Sequence, residues 1–227
     1  YKMGDVALNM VKTAIGAYVQ VDLSTAAQVI ARDDDCDTMF SKISREIAQY
    51  IAAHPDDAET ALDLFMIAKY LERLGDHAVN LRKTAEEIHD KHIVFSEDAV
   101  KELQNLTNAL TEILELTIDA FSEHNLEMAR HVEPLEQVID CLISAAKSTH
   151  VERLQSGKCT IQNGFVLNDL LTNYERVSDH CSNIAVSLIE TSAGSFDTHE
   201  YLSEVKEGGS KDYTDLYHAY TKKYALQ

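Results

Sequence analysis

Four pairs of carboxylic acids recur in this chain with the spacing of metal ligands on one face of a helix. Within each pair the acids are four residues apart, which places them about one helical turn from each other. Two of the pairs repeat the other two at a constant offset of 103 residues. The pairs are Asp33 and Asp37, Glu72 and Asp76, Glu136 and Asp140, and Glu175 and Asp179.

The apolar pattern around these acids predicts that they are partly buried. Asp33 and Glu136 each interrupt the apolar stripe of a predicted helix. Buried carboxylates repel one another and lose hydration, so the fold must compensate their charge. A raised pKa, the neighbouring Arg73 and Arg176, or a bound cation would each do so. For any one pair taken alone, a solvated helix face is the alternative interpretation.

A cation bound at these acids would be held by oxygen ligands. Such ligation favours iron, manganese, magnesium or calcium over zinc. Asn80 and Asn183 lie one turn beyond the acids on the same helix faces and join the predicted ligand set. His77 and His180 point about 100° away, so they are either ligands or groups that orient the ligands. His150 lies on an apolar stripe and is interpreted as a core histidine.

The elements that must position the acids are six long helices. Apolar residues recur at helical spacing, and the 103-residue offset extends to them, so a unit of three helices is duplicated. Ser24 is the predicted N-cap of the second helix, and Gly157 and Gly164 are predicted to flank the last long turn. The helices are predicted at 2–20, 24–53, 57–90, 98–123, 126–155 and 163–192.

These elements predict an all-α fold, a tandem pair of three-helix bundles followed by a short C-terminal helix. The predicted boundaries are 1–93 for the first repeat, 94–192 for the second and 193–227 for the tail. Tyrosines of the tail follow helical spacing. We predict that the tail helix packs back on the bundle, with a docking surface for a partner as the alternative.

Composition excludes several classes of function. The net charge of −18 repels nucleic acid and anionic lipid headgroups, so neither is an expected partner. No apolar run reaches the roughly 18 residues that a membrane helix needs. Four scattered cysteines, without a C-x-x-C pair, are typical of a protein from a reducing compartment.

A longer string, Glu-Arg-x-x-Asp-His-x-x-Asn, runs from Glu72 to Asn80 and again from Glu175 to Asn183. At these strings the chain resembles the PhoU family, over about residues 3–192. The resemblance implies two three-helix bundles, each carrying an E/D-x-x-x-D motif that binds metal clusters, commonly of iron. The motif falls on Glu72 with Asp76 and on Glu175 with Asp179, and the remaining acid pairs match the second pair of each repeat.

The second half of the chain resembles a narrower group within this family. Its stretch from Val132 to Asp140 and the string LLTNYERVSDHCSN, from Leu170 to Asn183, resemble the PhoU-like cytoplasmic domain of bacterial sodium/phosphate cotransporters. This resemblance implies a metal-binding, non-enzymatic regulatory domain of a sodium-dependent phosphate transporter at the cytoplasmic face of the membrane. Together with the start at Tyr1 inside a helical pattern, it implies a membrane portion of the same polypeptide as partner. A homodimer through the tail helix is left open.

Two other functions compete with this one. The first is a freestanding PhoU-type regulator that acts on an ABC-type phosphate transporter or a signalling kinase. The second is a di-iron carboxylate enzyme, whose sites use a Glu-x-x-His on each of two helices. Only Glu86 and His89 have that spacing, without a repeated partner and apart from the acid pairs. An enzyme is therefore the least favoured of the three.

Overall fold

The computed structural model describes residues 1–20, 26–193 and 211–225, and every regular element in those ranges is helical. The all-α prediction is confirmed. The α-helices are α1 (Lys2–Gln20), α2 (Ala26–Ala53), α3 (Ala58–Asp90), α4 (Glu97–Glu123), α5 (Leu126–Arg130), α6 (Val132–Gln155), α7 (Ile161–Ala193) and α8 (Lys211–Lys223), with a 3₁₀ turn at Pro55–Asp57 between α2 and α3.

The internal repeat is visible in the helix boundaries. α3 and α7 each contain 33 residues, and both their first and last residues differ by the sequence offset. α1 and α4 also end at equivalent positions, Gln20 and Glu123. Ser96 caps α4 by accepting a hydrogen bond from the amide of Ala99, as an N-cap serine does. The cap predicted at Ser24 lies outside the described residues.

Two local predictions about the second repeat were wrong. The helix predicted over 126–155 is broken at His131, because Pro134 cannot donate a backbone hydrogen bond to the carbonyl of Arg130. The equivalent position in α2 is Ala31, and α2 is continuous. Gly164 lies inside α7 and does not flank the turn, whereas Gly157 has the predicted turn role with a φ of 70°.

α3 and α7 form the centre of the molecule. α3 packs against α1, α2 and α7, and α7 packs against α3, α4 and α6. One contiguous apolar cluster runs through both halves, from Met10 and Leu74 to Leu110 and Tyr174. Burial of such large side chains contributes about 1.5–3 kcal/mol each. α3 and α7, which carry two of the four acid pairs, are thus held in place by the main core.

Equivalent residues meet where the two halves face each other. Lys12 of α1 forms an ion pair with Glu115 of α4, its counterpart 103 residues later. The rings of His77 and His180, also counterparts, lie 5.4 Å apart between α3 and α7. Such contacts place a pseudo-two-fold axis between the halves. In the described part of the chain, no helix has both the length and the apolar composition to cross a membrane.

The C-terminal helix α8 packs on α6, as predicted for the tail. Tyr224 is buried in the main cluster at the end of this helix, and Tyr217 and Tyr220 pack against it. The side-chain amide of Asn105 on α4 donates a hydrogen bond of 2.7 Å to the carbonyl of Tyr224. These contacts attach α8 to the second repeat.

Candidate functional site

The first repeat brings its acids together along the seam between α2 and α3. Gly75 lies on α3 between Glu72 and Asp76, and it leaves room for α2 to approach closely. A Cβ atom at Gly75 would be 3.3 Å from Oδ1 of Asp33 and 3.6 Å from Sγ of Cys36. The absent side chain therefore allows the Asp33 carboxylate to lie directly over α3.

The pKa shifts in this seam report the convergence of four carboxylates. Burial raises the pKa of Asp33, and repulsion from Asp37, Asp76, Asp34 and Glu72 raises it further. The buried Cys36 thiol has its pKa raised to about 12, first by burial and then by Asp33, Asp37, Glu72 and Asp76. We call Asp33, Asp37, Glu72 and Asp76 the first acid cluster.

Basic side chains offset part of this charge. Nη1 of Arg73 lies 2.7 Å from Asp76, and its Nε lies 3.6 Å from Glu72. Lys69 adds a second contact to Glu72, at 3.1 Å. The predicted compensation by the arginine of the motif is therefore present. Asp33 and Asp37 are the two acids of the cluster that approach α3 from α2.

The second acid cluster consists of Glu136, Asp140, Glu175 and Asp179, and it differs from the first. Ser178 replaces Gly75, and its buried hydroxyl donates to the carbonyl of Glu175. Nζ of Lys147 on α6 lies 2.9 Å from Glu175 across the seam. Glu136 is buried and Asp140 is exposed. The two repeats therefore do not offer identical sites.

Arg176 and burial act in opposite directions on Asp179. Burial raises the pKa of this carboxyl, whereas Arg176, 3.1 Å away, lowers it. A further buried acid, Glu133, accepts a hydrogen bond from Ser182 of α7. The sequence interpretation did not single out Glu133, although it lies three residues before Glu136 on the same helix face, a spacing that could have revealed it.

The types of these residues suit a hard cation, but their positions in the structure suit it less well. Carboxylate and amide oxygens are suitable ligands, and Asn80 and Asn183 are half-buried one turn beyond the acids. Within the described ranges, however, no three His, Cys, Asp or Glu side chains are grouped closely enough to hold a metal ion. Glu72, Asp76 and their counterparts point to lysine and arginine instead. Metal binding therefore stays a prediction.

The two motif histidines lie between the repeats. Nδ1 of His77 donates to Oδ1 of Asn173 on α7 at 3.0 Å, and the ring of His180 stacks on Tyr70 with centroids 5.7 Å apart. Burial, followed by the nearby His77 and Arg176, lowers the pKa of His180 to about 4. His180 is therefore neutral near pH 7.

These histidines connect the two acid clusters. His77 of the first repeat contributes to lowering the pKa of Asp179 in the second. Asp76, also of the first repeat, acts to raise the pKa of His180 in the second. Helical periodicity in the sequence predicts that the two histidines point about 100° away from the acids. It does not predict which surface they contact. The described geometry makes each histidine a neighbour of the opposite repeat's motif acid.

Two other predicted groups lie apart from the acids. His150 is half-buried between α6 and α7, where Cys159 lies 3.7 Å from its Nδ1 and Gly164 leaves space for the ring. Glu86 forms an ion pair with Arg82, about 15 Å along α3 from Asp76. The single Glu-x-x-His spacing thus does not contribute to either acid cluster.

Comparison with known proteins identifies the family. The family profile described as PhoU domain matches the chain twice, over residues 1–85 and 92–188. The chain belongs to the PhoU family. The resemblance inferred from the repeated motif is thereby confirmed, and both motif strings lie within the matched residues.

Relatives and solved structures agree with this assignment. The phosphate-specific transport system accessory protein PhoU homolog of Clostridium acetobutylicum is 28% identical over 193 residues, covering 83% of this chain and 86% of that protein. Homolog 1 of Thermotoga maritima is 24% identical over 198 residues, covering 86% and 84%. The crystal structure of PhoU from Pseudomonas aeruginosa has a TM-score of 0.78 at 22% identity, covering 86% of this chain and 93% of that one. This likeness shows the PhoU fold.

Proposed function

We propose that this chain is a PhoU-type accessory protein that regulates phosphate transport, with a phosphate transporter as its partner. The observation that supports the proposal is the double match to the PhoU domain. Relatives that match most of the chain over most of their own length carry the name of transport-system accessory proteins. This favours the freestanding type of regulator over the cotransporter domain, and a non-enzymatic role over the di-iron alternative.

The charge of the acid clusters supports regulation and argues against phosphate binding by the clusters themselves. Eight carboxylates lie in the repeated pairs, and the whole chain carries a net charge of −18. Phosphate is repelled by such a surface unless a cation reverses the local charge. The transporter would therefore bind phosphate, and this chain would change the transporter's activity.

Phosphate uptake by the host tests this function. Deleting the gene should change the rate of phosphate uptake under phosphate-rich conditions, and a plasmid copy of this chain should restore it. Uptake is measured with radiolabelled phosphate in sodium and in potassium buffers. If the change occurs only in sodium, the cotransporter alternative is favoured. If uptake is the same with and without the gene, the proposed regulation is wrong.

We further propose that the acid clusters bind a cation, most favourably iron, with manganese, magnesium, calcium and zinc as alternatives. Asp33, Asp37, Glu72 and Asp76 would hold it in the first repeat, with Asn80 nearby. A bound cation would supply the positive charge that offsets the burial and the repulsion which together raise the pKa of Asp33. Lys69 and Arg73 now supply part of that charge, so cation binding would compete with their ion pairs.

Replacing Asp33 by asparagine should separate stability from cation binding. In metal-free protein at pH 7, Asp33→Asn should stabilise the fold by roughly 0.5 kcal/mol, a modest value because solvent screens this partly exposed group. The raised pKa means that the folded state disfavours the charged form, which asparagine cannot adopt. The same variant should lose most of the rise in Tm that iron or manganese produces in the wild type.

Asp35→Asn is the matched control, since Asp35 is exposed on the same helix and belongs to the same acidic run. It should retain the wild-type stability and the cation-induced shift in Tm. Thermal unfolding with and without each metal ion measures both quantities. A wild-type protein whose Tm is unchanged by every cation, or an Asp33→Asn variant that keeps the full shift, would contradict cation binding at the first acid cluster.

A further inference from the structure

The groove between α4 and α6 shows how the second repeat binds a helix. α8 lies there, and its tyrosines make polar contacts as well as apolar ones. The Tyr224 hydroxyl and Lys223 both contact Glu112 of α4. The Tyr220 hydroxyl lies 3.5 Å from Nδ1 of His131, and the Tyr217 hydroxyl lies 3.7 Å from Sγ of Cys141. A tyrosine-bearing helix is therefore the ligand of this groove.

The first repeat contains the equivalent groove, between α1 and α2. It is an open cavity of about 290 Å³. Its residues are the counterparts, 103 positions earlier, of residues at or beside the α8 site: Asn9 corresponds to Glu112, and Gln28 to His131. The lining consists of Asn9, Met10, Thr13, Gln28, Val29 and Arg32.

The two grooves have equivalent floors, but their rims differ in exposure to solvent. Met10 and Val29 are buried in the first, as their counterparts Ile113 and Val132 are in the second. The rim residue Asn9 is exposed, whereas its counterpart Glu112, beneath α8, is half-buried. The first groove thus has buried apolar residues at the equivalent floor positions but is accessible to solvent at its rim.

The side chains around the first groove can replace the contacts that α8 makes in the second. Asn9 and Gln28 provide amide oxygens for tyrosine hydroxyls, and Thr38 stands where Cys141 contacts Tyr217. Lys2 takes the place of Asn105, which donates to the last carbonyl of α8. A lysine is favourable there because the C-terminus of a helix carries partial negative charge.

We propose that the groove between α1 and α2 is a second site for α8, filled by the α8 helix of another copy of this chain. The occupant follows from the internal repeat, because α8 is the helix that fits the equivalent groove. Arg32, which replaces Leu135, adds a cation to stack on a tyrosine ring. To bind there, α8 of the second copy must first leave its own groove, and Lys223 loses its ion pair because Asn9 lacks the charge of Glu112. Association between copies is therefore weaker than docking within one chain and becomes measurable only at high protein concentration.

A labelled peptide tests the site in the full-length chain. The peptide spans residues 209–227 and carries a fluorophore at its N-terminus. It should bind the full-length chain with one site per chain, measured by fluorescence anisotropy. Gln28→Trp fills the mouth of the first groove and should weaken binding at least about tenfold, or about 1.4 kcal/mol. Gln49→Trp is the matched control, since Gln49 is exposed farther along α2, and it should bind the peptide as the wild type does.

Two further measurements identify the site and the occupant. Glu112→Gln alters the second groove and should leave peptide binding unchanged; if this variant alone changes binding, the peptide is displacing the chain's own α8 and the proposal is wrong. Light scattering of the label-free chain, from about 1 µM to about 500 µM, should show a rising mass that Gln28→Trp abolishes. A constant monomer mass would overturn a second copy as the occupant, and absent or Gln28→Trp-insensitive peptide binding would overturn the site itself.

Discussion

Replacing Arg153 by alanine should lower the free energy of unfolding by about 3–5 kcal/mol. Arg153 on α6 forms a bidentate ion pair with Glu102 on α4, with distances of 2.8 and 2.9 Å. The exposed fractions of the two side chains are 10% and 12%, so truncation would leave the Glu102 charge buried with one weaker partner, the Thr149 hydroxyl. Urea denaturation followed by circular dichroism measures the loss.

Lys42→Ala is the control for this variant. Lys42 and Glu46 form an exposed pair on α2, with exposed fractions of 71% and 62%, so its loss should change stability by less than about 0.5 kcal/mol. The comparison separates burial from charge, because both variants remove one cation from an ion pair. An Arg153→Ala protein that unfolds at the same urea concentration as Lys42→Ala would show that the Glu102 pair does not stabilise the fold.

The Arg153 ion pair is also one of the differences between the two repeats. The residue equivalent to Arg153 is Tyr50, whose hydroxyl donates to Asp57 at 2.9 Å across the turn between α2 and α3. The second repeat thus fastens α6 to α4, whereas the first fastens α2 to the start of α3. Because α6 carries Glu136 and Asp140, the ion pair fixes one side of the second acid cluster.

The fold was predictable from sequence because its helices are long and their apolar stripes regular. α3 and α7 begin and end within two residues of their predicted limits. The break at His131 was missed because a proline in the first turn of a helix is tolerated, and its effect on the preceding carbonyl depends on whether the helix starts earlier. Periodicity alone does not decide that point.

The convergence of acids in the first repeat was predictable from the sequence, and the contacts around them were less so. Acids on a core stripe predicted a partly buried cluster, and Asp33 and Asp76 do lie together in the first repeat. The meeting of His77 with His180 could not be derived, because helical periodicity identifies the face of a side chain but not the helix packed against it. The packing of α3 on α7 supplies that information.

Replacing Gly75 by valine should destabilise the protein by about 2–3 kcal/mol and open the first acid cluster. The new Cβ would lie 3.3 Å from Oδ1 of Asp33 and 3.5 Å from Cε of Met10, and the two methyl groups beyond it would crowd the same side chains. We therefore expect α2 to move away from α3. Cys36, which is buried 3.6 Å from the same point, should become accessible to alkylation, which peptide mass spectrometry measures at each cysteine.

Gly16→Val separates this packing effect from the helical preference of valine. Both glycines lie inside helices, but a Cβ at Gly16 meets no atom within 4 Å. Valine is the better helix former by a few tenths of a kcal/mol, so Gly16→Val should be neutral or slightly stabilising and leave Cys36 protected. If Gly75→Val matches Gly16→Val in stability and Cys36 alkylation, close packing at Gly75 does not hold Asp33 on α3. The expected difference between the two variants would instead show that the absence of a side chain at Gly75 determines the geometry of the first acid cluster.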